Sequence, residues 1–474
     1  MQTQCNGPSF HFPTKISRQV VARFDGGAIS SEGGGLLLQQ VERVTGIIAR
    51  FAACFTDHRD PDLIEHTVEE LVAQRIYALA LGSEDLNDHD DLRYDPLLAV
   101  LVGKREPTGQ DRRQQRDRGK ALAGKSTLNR LELTPVRADG RSRYKKIVLD
   151  TRRAEMVFTD LFVQAHHQPP AEIVLDLDTT DDPIHGNQLG RFFHGYYRNY
   201  CYLPLYIFCG EHLLWAQLRP SDIDASAGSV KALVKIISRI RAAWPQVKIL
   251  IRGDSGFCRE NLMCWCETQG VDYLLGRAKN KRLVGEIAPE MAQAKEQYQR
   301  TGQAARVFRD FEYQTLTSWS RSRRVVGKAE YLAKGENPRF VVTSLAKEEI
   351  AARNLYEDYY CARGDMENRI KEQQLYLFAD RTSAATMRAN QLRLWFSSVA
   401  YTLLAALRRL GLKNTELAQA QCSTIRLKLL KIGAVIRITV RKVWVSLAES
   451  CPYQRIFQQV YEHLVRLCPT PLRC

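Results

Sequence analysis

Three carboxylates in this 474-residue chain fall where a sheet and a helix would bring them together. Asp178 ends the run Glu-Ile-Val-Leu-Asp-Leu-Asp that begins at Glu172. Asp254 follows the run Val-Lys-Ile-Leu-Ile, inside Arg252-Gly-Asp-Ser-Gly, and Glu367 lies in a long helical stretch over 351–377. Two acids at the open end of a sheet and a third on a facing helix make an all-oxygen donor set, which suits a hard cation such as Mg²⁺, with Mn²⁺ as its substitute. Two such ions roughly 3.5–4 Å apart can clamp both oxygens of an in-line phosphoryl displacement. Taken singly, an acid at a strand end serves as often to cap a helix or to pair with an arginine.

The helical stretch adds a second signal. Tyr360, Arg363, Glu367, Lys371 and Gln374 follow one another at spacings of 3, 4, 4 and 3, which at 3.6 residues per turn stacks them in one stripe. A carboxylate flanked by cationic and hydrogen-bonding groups suits a grip on phosphates around a scissile bond, and a tyrosine there can stack on a base. The plainer alternative is a solvated face with a Glu367–Lys371 pair. His185 and His194 follow Asp178 without a further ligand at metal spacing and read as polar hairpin positions. Trp265, Trp395 and Phe396 sit at helical spacing among apolar residues and read as core, a wedge against flipped bases being the sharper alternative for the last two.

Lys and Arg number 68 against 53 Asp and Glu, a formal net charge of +15. The excess crowds into 104–153 and 426–442, and its natural counterpart is a polyanion. Arg112, Arg113, Arg116, Lys145 and Lys146 are the candidates for tracking a phosphate backbone, on a glycine-interrupted arm expected to be partly flexible; a solvated basic surface is the alternative. Hydrophobic residues at 45% and charged residues at 26% are globular values, which exclude a collagen, a disordered chain and a small disulfide scaffold. None of the 12 cysteines forms a C-x-x-C pair, so neither a zinc ribbon nor a redox dithiol is expected. The longest apolar stretch, 395–407, falls short of the ~18 residues that span a bilayer. The first 18 residues lack a basic segment followed by an apolar run. No membrane partner and a cytoplasmic location are the resulting expectations.

The elements that must carry these residues follow from hydrophobic period. Residues 169–278 alternate strands and helices in the order strand (Asp178), strand, strand, helix, strand (Asp254), helix, strand, with antiparallel hairpins broken at Pro204 and Gly210 after the first. Charged, alternating sequence over 279–338 reads as a β-rich insertion, and 339–412 returns to the core with the Glu367 helix. Residues 413–474 predict a basic hairpin and a last helix, and 1–168 a mostly helical, basic region. Within it, 60–101 is helical in period with Asp60-Pro61 as cap and first turn, and the glycines over 26–35 turn into a helix at Leu36. Those glycines lack dinucleotide-binding spacing, so no small-molecule cofactor is expected.

On these residues the chain resembles the DDE transposases of bacterial insertion sequences. Tyr360-x2-Arg363-x3-Glu367 matches their Y-(2)-R-(3)-E-(6)-K signature, with Gln374 where the final lysine stands and Lys371, one turn earlier, as the candidate to substitute. A closer similarity, to insertion-sequence family thirteen-eighty, lies in Leu175-Asp-Leu-Asp-Thr-Thr-Asp-Asp-Pro, Gly253-Asp-Ser-Gly-Phe, Gly364-Asp-Met-Glu-Asn-Arg-Ile-Lys-Glu and Leu86-Asn-Asp-His-Asp-Asp-Leu-Arg. These pieces are spread over nearly the whole chain. The resemblance implies an α/β fold: an RNase H-like core, a mixed sheet flanked by helices, interrupted by a mostly β insertion, with a helical N-terminal DNA-binding region and a basic C-terminal region. It further implies a transposase that binds terminal inverted repeats and cleaves the ends with two Mg²⁺ ions at Asp178, Asp254 and Glu367. The 3′ ends are then joined to target DNA by a homodimer in a synaptic complex. A nucleoid-associated place in the bacterial cytoplasm goes with that activity.

Two other readings stay open. Asp176-Leu-Asp178-Thr-Thr also resembles the D-x-D-x-T opening of haloacid dehalogenase-like, Mg²⁺-dependent phosphatases, where Asp176 would be the nucleophile. Cys258 and Arg259 stand where that family's later carboxylate is wanted, and hairpins follow Asp178 instead of a crossover helix. A non-catalytic DNA-binding descendant of a transposase is the third reading, although all three candidate ligands are present.

Overall fold

Period-two alternation sends Ile173, Leu175 and Leu177 to one face of a strand and Val174, Asp176 and Asp178 to the other. In the computed structural model, which describes residues 8–13 and 18–468, that strand is β1, Glu172–Thr179. Most of the first 18 residues, read above for a leader, lie outside the described residues. The chain forms two compact units, Met1–Leu149 with Val399–Cys474, and Asp150–Ser398.

The second unit is built on one mixed sheet. With β2 Leu205–Cys209, β3 His212–Gln217, β4 Lys248–Gly253 and β5 Asp272–Arg277, and then β6 Ala305–Tyr313, β7 Arg323–Leu332 and β8 Arg339–Thr343, the strand order is β3-β2-β1-β4-β5-β8-β7-β6. Strands β4 and β5 run parallel to β1, and β2 runs antiparallel to it. One sheet face packs Leu175, Leu177, Ile249 and Ile251 with Leu233, Ile236 and Ile240 of the helix Ser229–Ala243 and Met263 of Glu260–Gln269. Each such fully buried aliphatic side chain contributes about 1.5–3 kcal/mol. The opposite face buries Leu250, Leu274, Val326 and Val341 against Leu355 and Tyr356. A helical run over 352–376 therefore crosses the face that carries Asp176 and Asp178.

The expected β-rich insertion is not a separate β element. Its first part is helical, Lys281–Glu286 and Ala288–Thr301, and β6 and β7 extend the main sheet through β8. Alternation in β7 is two-sided burial, with Arg323, Arg324 and Lys328 kept inside by acids: Arg323 by Glu260 and Glu267, Arg324 by Asp310, Lys328 by Glu330.

In the first unit the helix of 60–101 is four pieces, one of them the short helix His89–Leu92. Asp60-Pro61 caps only a single 3₁₀ turn, Pro61–Leu63. The main helix, Val68–Leu81, starts at Thr67 with a reciprocal Thr67–Glu70 capping box, and Gly82 and Gly103 end it and the helix Pro96–Val102. The glycine-rich segment does open a helix, Gly35–Thr45, but Gly33 and Gly34 serve a close approach: a Cβ on Gly34 would stand 1.9 Å from the Leu429 carbonyl oxygen. Their N–H groups donate to Ile432 and Leu430, so 399–474 folds with the first unit and is no separate region. The expected flexible arm is folded too. Residues 104–153 contain the helix Lys125–Glu132, a buried Ala121-Leu-Ala turn and the strand Ile147–Leu149, which pairs with Phe55–Asp57.

Candidate active site

Parallel pairing sets Gly253 opposite Leu177, so the next residues, Asp254 and Asp178, emerge beside each other from the same ends of adjacent strands. The turn after β4 is fixed by Asp254 itself, whose Oδ1 accepts the Gly256 N–H at 2.9 Å. Asp178 Oδ1 accepts the N–H of Thr179 at 2.9 Å.

The third acid comes from the helical run, which is irregular: π-helical over Leu355–Tyr360, 3₁₀ over Cys361–Arg363, α-helical over Gly364–Lys371 and π-helical again over Glu372–Tyr376. Arg363 donates through one Nη to Asp178 Oδ2 at 3.3 Å and through the other to Glu367 Oε1 at 2.7 Å. One guanidinium thus spans the two carboxylates. Burial pushes the Asp178 carboxyl up to about 6, Arg363 opposing the rise and Asp254 and Glu367 adding to it. A desolvated cluster of negative charge is what a bound cation relieves.

Tyr360 lies at the other side of the cluster. A Cβ on Gly276 would meet the Tyr360 hydroxyl at 2.4 Å and the Ser255 nitrogen at 3.0 Å, so only glycine on β5 leaves room for that ring. Burial and the negative charge of Asp254 both raise the Tyr360 phenol, against the pull of Arg363. Lys371 is exposed. Gln374 is engaged inside the protein: its Nε2 donates to Asp182 Oδ1 at 2.9 Å and to the Asp181 carbonyl at 3.0 Å. The amide expected at a DNA-facing position instead ties the Glu367 helix to the segment leaving β1.

Asp176 is held by Arg252 through Nε at 2.5 Å and Nη2 at 2.8 Å, both side chains buried. The remaining Nη1 of Arg252 donates to the Tyr359 carbonyl. This pair clamps β1, β4 and the helical run together just before Tyr360. An Asp176 so engaged is not placed to attack phosphorus, and an antiparallel β2 follows β1 where a phosphatase would need a crossover helix. Sequence reasoning missed the clamp, although Asp176 and Arg252 each stand two residues before a site acid, which is the signal of a shared face.

The basic candidates divide. Arg112 is internal, with Nη2 2.6 Å from Glu65 Oε2 and Nη1 against His66 and the Lys120 carbonyl, so it is not available to phosphate. Arg113 and Lys146 each donate to a backbone carbonyl of their own unit, Asp62 and Gly140. Lys145 is exposed, and Arg116 has 80% of its side chain exposed. Trp395 and Phe396 are core, at 3% and 0% exposure, which removes the wedge reading; Trp265 packs against the core as expected.

Among the described residues no group of three or more His, Cys, Asp or Glu side chains is closed on a point that would hold a metal ion as it stands. The Arg363 guanidinium lies between Asp178 and Glu367 and pairs with both. The donors themselves, three carboxylates with one strongly desolvated, fit a hard divalent cation. Among the described residues no helix is long and apolar enough to cross a membrane.

Residues 12–469 match the family described as transposase DDE domain group 1. None of the curated proteins matches the chain. Among solved structures, the chain is similar to one described as a piggyBac transposase synaptic complex with hairpin DNA, at 10% identity and a TM-score of 0.40, over 93% of this chain and 86% of that chain.

Proposed function

The chain belongs to the transposase DDE domain group 1 family, and from that premise we propose that it is the cut-and-paste transposase of a bacterial insertion sequence of family thirteen-eighty. It binds the terminal inverted repeats, hydrolyses the phosphodiester at each element end and joins the 3′ ends to target DNA. The observation that carries this reading is the placement of Asp178 and Asp254 side by side at the ends of β1 and β4, with Glu367 reached by the same Arg363 guanidinium that reaches Asp178. The strand order β3-β2-β1-β4-β5, with β2 alone antiparallel to β1 among its neighbours in that core, supports an RNase H-like core.

Asp178, Asp254 and Glu367 would hold one or two Mg²⁺ ions, Mn²⁺ substituting. Bound there, the metal supplies Lewis-acid stabilisation of the phosphoryl oxygens and a more acidic water or 3′-hydroxyl. The chain's own residues do the rest. The Asp176–Arg252 clamp fixes the strand ends, Gln374 and Asp182 hold the segment after β1, and Tyr360 closes the side beyond Asp254. Arg363, released from the carboxylates, meets a phosphate on the DNA, and exposed Lys371 lies about two turns further along the helix. Arg116 and Lys145 are the outward-facing groups for backbone phosphates in the first unit. A homodimer, one site for each end, is the simplest synaptic assembly.

The test is nicking of a labelled terminal-repeat duplex with Mg²⁺, alongside release of phosphate from a generic monoester. Wild type should cut the duplex and ignore the monoester, and Asp178→Asn should abolish cutting. Hydrolysis of the monoester that depends on Asp176 would overturn the reading in favour of the phosphatase.

A further inference from the structure

Between Asp182 and Glu211 the sequence holds no acid and eight Phe and Tyr residues. Part of this stretch folds as a small antiparallel ribbon: Phe192–His194 pairs with Asn199–Tyr202, and Asp182–Pro183 pairs on the far side. Its outer face is aromatic and open to solvent. Phe193 and Tyr200 are directly opposed with ring centroids 5.6 Å apart and are 58% and 49% exposed, and Tyr196 at the tip is 84% exposed. Arg191 lies with its guanidinium 4.8 Å from the Tyr200 ring centroid, and Arg198 closes the tip with a φ of 56°.

The ribbon is anchored at the candidate active site. Tyr197 donates its hydroxyl to the Thr179 carbonyl at 3.3 Å, one residue past Asp178, and Asn199 Nδ2 donates to Asp181 Oδ2 at 2.8 Å. At its base, Ser221 donates to the Phe192 carbonyl at 2.9 Å, Gln188 to the Thr382 carbonyl at 3.1 Å, and Gln374 to Asp182. The ribbon is therefore a fixed shelf.

We propose that this ribbon is a base-stacking platform: Phe193, Tyr196 and Tyr200 hold unpaired nucleotides of the DNA end beside Asp178 and Asp254, with exposed Arg198 on an adjoining phosphate. This rests on the reading of the site as one that cuts DNA. Flat aromatic faces interleaved with arginine and free of acid suit stacked bases on a phosphate chain. An aromatic shelf is of use to a strand only where its bases are unpaired, so the occupant is a frayed end rather than intact duplex.

The experiment uses the full-length protein without metal and two fluorescent probes, a blunt duplex and the same duplex with a short unpaired thymine end. Wild type should prefer the unpaired end by at least about fivefold, as expected for one or more lost stacks. Tyr196→Ala/Tyr200→Ala should abolish the preference at an unchanged melting temperature and unchanged blunt-duplex affinity. Tyr196→Phe/Tyr200→Phe should keep it, because stacking needs the ring and not the hydroxyl. Equal binding of the two probes by wild type, or a preference that survives the alanine pair, overturns the platform alone. Failure to bind either probe overturns both the platform and the DNA-cutting reading. Self-association that disappears in the alanine pair while the DNA preference stays shows that the face belongs to a second copy of the chain, and also overturns it.

Discussion

Arg363 stands 3.3 Å from Asp178 Oδ2 while its second Nη group holds Glu367 at 2.7 Å, so a protein cation bridges two of the three acids proposed to hold the metal. The two competitors are mutually exclusive on electrostatic grounds. Arg363→Gln should therefore bind Mn²⁺ more tightly than wild type in a calorimetric titration, by roughly tenfold if about 1.4 kcal/mol of competition is removed, and should still cut DNA more slowly because the arginine is missing from the phosphate. Unchanged or weaker Mn²⁺ binding would show that Arg363 does not compete.

Asp176 and Arg252 form a buried two-point pair. Removing one partner of such a pair leaves the other charge uncompensated, at a cost of about 3–5 kcal/mol. Asp176→Asn should lower the melting temperature markedly yet leave measurable cutting per folded molecule, whereas Asp178→Asn should leave the melting temperature within a few degrees and abolish cutting. Equal loss of activity in both, with no change in melting, would place Asp176 in the chemistry.

The Asp182 carboxyl is fully buried, burial raises it well above its ordinary range, and its Oδ2 has no hydrogen-bond partner among the described residues. A neutral acid accepting from Gln374 accounts for both observations. Asp182→Asn should then melt within about 1 kcal/mol of wild type, while Gln374→Leu, which strips Asp182 and the Asp181 carbonyl of their donor, should cost about 1–3 kcal/mol and slow cutting. A larger loss for Asp182→Asn than for Gln374→Leu would mean that the carboxylate is ionised.

Arg116 and Lys145 face outward, whereas Arg112 is paired with Glu65. Each phosphate contact removed should flatten the slope of log affinity against log salt by about 0.9. Arg116→Gln and Lys145→Gln are expected to do so for terminal-repeat duplex, and Arg112→Gln to destabilise the first unit instead. Because 399–474 folds with 1–149, a truncation before residue 169 would strip that unit of part of its core, and charge substitutions are the cleaner measurement.

His66 and His89 are buried, and each is lowered from the ordinary 6.5 to about 3, by burial first and then by neighbouring cations, Lys104 and Arg112 for His66 and Arg75 for His89. Both stay neutral in the fold, while the unfolded chain takes up a proton on each below pH 6.5. Stability from these groups is thus full above pH 6.5 and is lost as pH falls toward 3, by on the order of 2 kcal/mol per histidine at pH 5. His89→Leu should melt lower at pH 7, since Gln74 Nε2 loses one of its two acceptors and keeps only the Ala123 carbonyl, but with a shallower dependence between pH 7 and 5. A slope as steep as wild type would assign the acid sensitivity elsewhere.

Asp178, Asp254 and the Tyr360, Arg363, Glu367 stripe were legible in the sequence because each depends on local period: a strand ends in acid, and helical spacing stacks a face. The same holds for β1, β4, β5, the helix Ser229–Ala243 and the last helix, Gln454–Leu467. What each polar group meets across the sheet is not a local property. Register alone decided that Arg252 lies opposite Asp176, and helix docking decided that Gln374 meets Asp182. Insertion strands that alternate charge and apolar residues give no sign of which sheet they join, because Arg323 and Arg324 are buried only once Glu260, Glu267 and Asp310 have been brought to them. Arg112 and Arg116 are alike in sequence, and only tertiary folding placed Glu65 beside the first and solvent around the second. Spacing along a chain fixes direction within an element, whereas the partner of a charge is fixed by distance in space, which the chain reaches only on folding.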